Sequence, residues 1–489
     1  MSLEQLGLVA LGLYLAGLLV VAEFAHRRKR DKSASDHFLA GRELGTFVLF
    51  LTLYATAYSG NSLLGYPGRA YRSGFEFVMS TGFMLSIVVV FHALVPKLRP
   101  LAVAHGFVTP GDYLRNRFAG EPGARALGIA VGALMTVALA NFLLAQLQAM
   151  GEVTSVVTGG AIPYAWGVSG LAAVILFYET RGGMRAVAWT DAGQGLLMLV
   201  GLGSLLAWLL SEAGGLAGMT GSVAKVRPAV LAVPDATSVA NWFSTIGLLG
   251  LGSVLYPQAI QRIYAARDAR SLQRSLAAMS FMPFATTLVV TLIGVAAIAS
   301  LGEGVTQDEV MPRLLTQWAE TGTLGTVGAV IVFLGALAAI MSTADSCLLS
   351  LGALAARDLV TRPLGDEATA RIGKRLAAAI LLAMVPFALQ GDITLWRLIE
   401  LKMELLIQCV PAFLLSIHWS RLRAAPVLCG LVVGTLFSVG LTLAGVTRWG
   451  GVHIGMVGLA LNAATAVVGS CLRSGGAGSR EARKLPTVS

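Results

Sequence analysis

The feature that most constrains this chain is a succession of thirteen apolar runs bounded by charges, Pro or Gly. Each is close to the ~20 residues that carry a helix across ~30 Å of hydrocarbon. They lie near residues 4–25, 44–66, 75–95, 125–150, 161–179, 188–210, 240–260, 275–300, 324–350, 374–390, 394–418, 425–445 and 452–472. In lipid every backbone polar group needs a partner from the protein, which leaves helices or a closed barrel. No stretch alternates as a barrel strand does, so helices are expected. Composition agrees: 13% of residues are charged, 56% are hydrophobic and the mean hydropathy is +0.74, where soluble domains carry about 25% charge.

The basic cluster His26-Arg27-Arg28-Lys29-Arg30 follows the first run, opposite to the order of a cleaved signal peptide. By the positive-inside rule it sets the N-terminus outside and the C-terminus in the cytoplasm, in the inner or plasma membrane. On that parity the inner segments hold 28 of the 36 Lys and Arg. The net charge of +10 is therefore topological, and a nucleic-acid partner is not expected; the partners expected are the lipid bilayer and a small organic solute. The longest outer loops, 211–239 and 301–323, leave no room for a soluble domain, and the end of the chain reads as a tail. The four cysteines, Cys347, Cys409, Cys429 and Cys471, have neither disulfide nor zinc spacing and read as buried small apolar residues.

Two runs contain helix breakers. The second reads Leu53-Tyr54-Ala55-Thr56-Ala57-Tyr58-Ser59-Gly60-Asn61-Ser62 and continues to Gly65-Tyr66-Pro67-Gly68; the seventh has Gly247, Gly250, Gly252 and Pro257. Interrupted segments at corresponding places of two halves point to an inverted-repeat transporter, with runs 2–6 and 7–11 as the halves. The competing reading is that these glycines only let helices approach. In run 9, Ser342 and Thr343 follow Ala339 by three and four residues, so both hydroxyls project where the Ala339 carbonyl would be freed. With carbonyls released around Ala55 and Tyr58 they make a neutral oxygen set for a sodium ion, although a Ser-Thr pair also back-bonds to its own helix.

Among ionisable groups, Asp191 opens run 6, along an ion exit path or as a helix N-terminal carboxylate. Glu400 and Glu404 share a face of run 11, with Arg397 in reach of Glu400 and Lys402 to the side. Asn141, Gln146 and Gln148 are polar groups of run 4 that serve equally as glue between helices.

Five stretches resemble the sodium:solute symporters: Phe38-Leu39-Ala40-Gly41-Arg42; Thr109-Pro110-Gly111-Asp112-Tyr113-Leu114-Arg115-Asn116-Arg117-Phe118; Gly182-Gly183-Met184-Arg185 through Asp191; Gln258-Ala259-Ile260-Gln261-Arg262 with Ala265 to Asp268; and Met341 to Ser346 with Ala356-Arg357-Asp358-Leu359. The resemblance implies an all-α polytopic protein of the leucine-transporter type and sodium-coupled import by alternating access. Residues 1–43 would form the first span and its basic loop, 44–210 and 240–418 the two repeats around the loop 211–239, 419–472 two further spans, and 473–489 the tail. It also implies sodium ligands at the carbonyls of Ala55, Tyr58 and Ala339 and the hydroxyls of Ser342 and Thr343, with Asp191 on the inner sodium path.

The departures concern the solute. Ala57 stands where the proline-type pattern has an acid, while Ser62, Thr81 and Gly252 replace polar residues of the sugar-type pattern. A polyol needs fixed hydrogen-bond partners, so a sugar is disfavoured. Ser59, Gly60, Asn61, Ser62 and Gln146 would leave a mostly neutral pocket, with Arg69 and Arg72 outside it, suited to a carboxylate or an amino acid. The alternatives are proton coupling with the same solutes and a transporter-fold sensor acting through a partner. Zinc-protease, nucleophile-elbow and paired-acid motifs are missing, so an enzyme is not expected.

Overall fold

The computed structural model describes residues 2–27, 33–360, 365–391 and 393–475; most of the basic cluster after the first run and nearly all of the tail lie outside them. Its helices in chain order are α1 (Leu3–Arg27), α2 (Ala34–Leu39), α3 (Thr46–Ala57), α4 (Tyr66–Ser73), α5 (Met79–His105), α6 (Pro110–Arg117), α7 (Ala124–Val157), α8 (Tyr164–Ala213), α9 (Gly215–Val226), α10 (Ala236–Ser253) and α11 (Pro257–Ala265). They continue as α12 (Ala269–Met279), α13 (Val289–Leu301), α14 (Val310–Glu320), α15 (Thr323–Leu354), α16 (Asp366–Gln390), α17 (Leu395–Leu406), α18 (Ser416–His418), α19 (Ala424–Leu443) and α20 (Ile454–Gly475). A two-residue antiparallel ribbon, Arg448–Trp449 with Val452–His453, joins the last two.

Among the described residues nine helical segments are long and apolar enough to cross a membrane, or ten if α10 and α11, bent by 50° at their junction, form one crossing. Of the other three runs, the second and the eleventh are interrupted. The second stops at Ala57 and resumes through a π turn, Asn61–Gly65, into α4. The fifth is the first limb of α8, which kinks at Gly183. The eleventh is divided by a 3₁₀ turn at Ile407–Cys409 and a π turn at Pro411–Leu415. Run length measures apolar content and is blind to these interruptions.

Polarity is arranged for lipid. Phe47, Val89, Trp166, Phe243, Phe281 and Leu436 are exposed while Thr52, Gln146, Asp191, Arg262 and Asp345 are buried. Two cysteines depart from the expectation of burial: Cys347 and Cys409 are buried, but Cys429 and Cys471 are exposed, being short apolar groups on outward faces of α19 and α20.

Two local features hold the frame. Gly183 sits at φ +63, ψ −167, and a Cβ there would come within 2.6 Å of His37 Nδ1. Only glycine fits both the backbone and the space. After α5, Asp112 Oδ2 accepts the amides of Val108 and Thr109 at 2.7 and 2.9 Å, while Oδ1 pairs with Arg115 and Arg357 at 2.6 and 3.1 Å. Burial alone would raise the Asp112 carboxyl, but both guanidiniums and these amides together hold it below its ordinary range. The Thr109–Arg115 and Arg357–Asp358 motifs are thus one polar clamp, since Arg115 also reaches Asp358 at 3.0 Å.

Candidate ion and solute site

The site begins where α3 stops. Tyr58 leaves helical geometry (φ −107, ψ 91), its amide still bonding to the Tyr54 carbonyl at 3.0 Å. Beyond it, the Ser59 carbonyl accepts the amides of Ser62 and Leu63 at 2.8 and 3.3 Å. Among the described residues no amide donates to the carbonyls of Ala55 or Tyr58. The break is held from outside: Gly60 N–H donates to Gln146 Oε1 at 3.1 Å, and a Cβ at Gly60 would fall 2.5 Å from Ile340 Cγ1 and 2.9 Å from that Oε1.

α15 faces this segment. Ser342 Oγ donates to Asp191 Oδ1 at 2.5 Å, keeping its lone pairs, and Thr343 Oγ1 is buried with no partner. The Ala339 carbonyl differs from expectation, because α15 is continuous from Thr323 to Leu354. It keeps its place in the helical ladder, so one lone pair is left for an ion. Two contacts set the register. At one end Thr52 donates to the carboxylate that Ser342 also reaches; at the other, Gly60 abuts Ile340. Ala55 and Tyr58 lie between Thr52 and Gly60 in the chain, on the segment that these two contacts hold against α15.

Asp191 is no helix cap. It lies two turns beyond the Gly183 kink, fully buried, and accepts from Thr52 Oγ1, Ser342 Oγ and Arg262 Nη2. The Arg262 pair spans 3.0 Å with both side chains at 0% exposure. Arg262 further donates to Thr52 Oγ1 (2.8 Å), Ser346 Oγ (2.7 Å) and the Gln258 carbonyl (3.2 Å). One buried network therefore joins α3, α8, α11 and α15. By segment Arg262 falls among the inner basic residues, and its place in the Gln258–Arg262 stretch is its one sequence signal as a site residue.

Beside the break lies a cavity with about 830 Å³ of empty space, its mouth included. Ser59, Asn61 and Ser62 line it with Thr56, whereas Gly60 and Gln146 do not belong to the lining and are bonded to each other. Both side-chain polar atoms of Asn61 are buried without partners. The rest of the lining is mainly aliphatic and aromatic, and Lys402 is its single charged residue.

A model of the Sodium:solute symporter family matches residues 37–434. The chain belongs to that family. Relatives of this symporter include the sodium/pantothenate symporter of Escherichia coli K12, 27% identical over 445 residues (88% of this chain, 89% of that one). The osmoregulated proline transporter of Bacillus subtilis 168 is 27% identical over 448 residues (89% and 88%). A solved sodium-coupled sialic acid symporter superposes with a TM-score of 0.76 at 18% identity, covering 95% of this chain and 97% of that one. A nucleobase-cation symporter superposes with a TM-score of 0.53 at 14% identity, covering 90% and 95%. The symporter is thus an integral membrane transporter with a leucine-transporter-like fold, sodium is its coupling ion, and its family comprises transporters, not enzymes.

The symporter's other polar candidates lie elsewhere. Glu400 pairs with Arg397 at 3.1 Å and with Arg448 at 2.6 Å, and Glu404 accepts from Thr442 at 3.0 Å. Arg448, in the ribbon before α20, had no sequence signal as a partner. Arg69 lies over the Trp396 ring, 5.7 Å from its centroid, and Arg72 is exposed. Thr81 and Gln148 are buried, each with a side-chain oxygen lacking a partner, and Asn141 is half-buried.

Proposed function

We propose that this symporter imports a small organic carboxylate or amino acid by alternating access, with thirteen spans in all, the N-terminus outside, the C-terminus in the cytoplasm and runs 2–6 and 7–11 as inverted repeats. Its sodium ion is coordinated by the carbonyls of Ala55, Tyr58 and Ala339 and the hydroxyls of Ser342 and Thr343, and leaves past Asp191. The observation that carries this reading is the coincidence of two donor-free carbonyls, Ala55 and Tyr58, with a buried unpartnered hydroxyl, Thr343, on the facing helix. Unmet buried oxygens each cost about 1–3 kcal/mol, a debt that a hard cation removes. The solute lies against Ser59, Asn61 and Ser62, while Gly60 and Gln146 hold the wall in shape.

Sodium titration of the purified protein, followed by tryptophan fluorescence against a choline control, tests the ion site before any solute is known. Ser342→Ala and Thr343→Ala should each raise the half-saturating sodium concentration by about tenfold, the equivalent of about 1.4 kcal/mol. Unchanged titrations in both variants would overturn the assignment.

A further inference from the structure

The cavity is lined by one amine, Lys402, with no carboxylate in the lining. Lys402 is 2% exposed and lines the cavity, and among the described residues it makes neither an ion pair nor a hydrogen bond. Its Nζ sits 3.0 Å from the centroid of the Phe142 ring and 5.2 Å from that of Tyr256; these two rings stack on each other, 5.3 Å apart. The acids nearest in sequence are committed elsewhere, Glu400 to Arg397 and Arg448 and Glu404 to Thr442. No Asp or Glu belongs to the lining.

Two π faces offset part of the cost of a buried ammonium, and a carboxylate beside it offsets the rest. A solute anion and the charged form of Lys402 therefore stabilise each other in this cavity. Asn61, 1% exposed with amide nitrogen and oxygen both unpartnered, adds a donor and an acceptor to the same lining. Phe83, Met84, Val88 and Ile399 offer an apolar body nothing polar to bond. An ammonium in the same space would meet Lys402 and no carboxylate.

We infer that Lys402 is the anion anchor of the solute cavity, and that it narrows the solute to monocarboxylates with an apolar body and no amino group. This rests on the reading of the cavity as the solute site and excludes the amino-acid half of the proposed function. Lys402 receives the carboxylate while Phe142 and Tyr256 hold its ammonium in place, and Asn61 bonds to a second oxygen of the solute.

The test is a thermal-shift and calorimetric panel on the purified symporter in sodium, using straight-chain monocarboxylates from acetate to octanoate, each beside its primary amide and its 2-amino acid. At least one carboxylate should bind ten or more times tighter than its amide and its amino acid. Lys402→Gln and Lys402→Met should each weaken that carboxylate at least tenfold and leave the sodium titration without solute in place, which shows that the variants are folded. Equal binding of a carboxylate and its 2-amino acid, binding unchanged in the variants, or no binding by any carboxylate would overturn the inference. The sodium titration separates this failure from failure of the symport reading: an intact sodium response with no carboxylate preference sinks only the anchor, whereas loss of any sodium response in the native protein sinks the ion site itself.

Discussion

The buried Asp191–Arg262 pair makes a quantitative demand on stability. Its Nη2–Oδ2 distance is 3.0 Å with both side chains inaccessible, and each partner has further bonds, Asp191 to Thr52 and Ser342, Arg262 to Thr52, Ser346 and the Gln258 carbonyl. At an effective dielectric of about 20, unit charges at that separation attract by about 5–6 kcal/mol. Desolvation of the two ions takes back much of this, so the pair as a whole is close to neutral against an uncharged substitute. Removing one member is different, because the other charge remains in the interior. Asp191→Asn and Arg262→Met should therefore each cost about 3–5 kcal/mol, while the double variant, which leaves no buried charge, should cost about 0–2 kcal/mol. The coupling energy of the cycle is then at least about 4 kcal/mol in size. Reversible unfolding by sodium-free dodecyl sulfate in mixed micelles, with choline as the only other salt so that ion binding adds nothing by mass action, measures all four corners. Additive single costs, giving a double variant about 6 kcal/mol or more below the native protein, would refute the pairing argument.

Two further outcomes follow from the frame. Gly183→Ala should lose about 2–4 kcal/mol in the same unfolding assay, from a backbone conformation that alanine avoids together with the Cβ contact against His37; a loss under about 1 kcal/mol would mean that the kink relaxes. Asp112 has its carboxyl held below the ordinary range, so the folded state binds its proton less readily than the unfolded chain does. Its stabilising contribution is complete above the unfolded value near 4 and fades as pH falls through the folded one, and Asp112→Asn should flatten the acid limb of a stability–pH curve while lowering the neutral plateau. An acid limb unchanged in the variant would show that other carboxylates dominate it.

What the sequence could and could not reveal about the site follows from the range of the interactions involved. The break after Ala57 was readable because Ser59 and Gly60 interrupt an apolar run, and helix-breaking residues within one helix are local information. The Ala339 carbonyl follows the same rule in reverse: α15 has no Gly or Pro between Ala336 and Leu351 and its ladder stays closed, whereas the resemblance to a ligand motif carries no news of backbone geometry. Asp191 was placed at the membrane face by counting from the start of a run. The positive φ of Gly183 begins the second limb of α8 eight residues earlier, and that displacement carries the carboxylate into the interior. Arg262 and Lys402 mark the limit more sharply. Both are cations whose meaning is set by groups at least 71 positions away in the chain for the Asp191 bond, or on separate helices for the Phe142 and Tyr256 rings. Counting basic residues by segment assigns Arg262 to topology and sets Lys402 aside, since the rule knows only which side of the membrane a charge prefers. The fold separates them by what surrounds each: Arg262 meets an acid and is part of the wall, whereas Lys402 meets two aromatic faces and an open cavity, which leaves its charge to be answered by the solute.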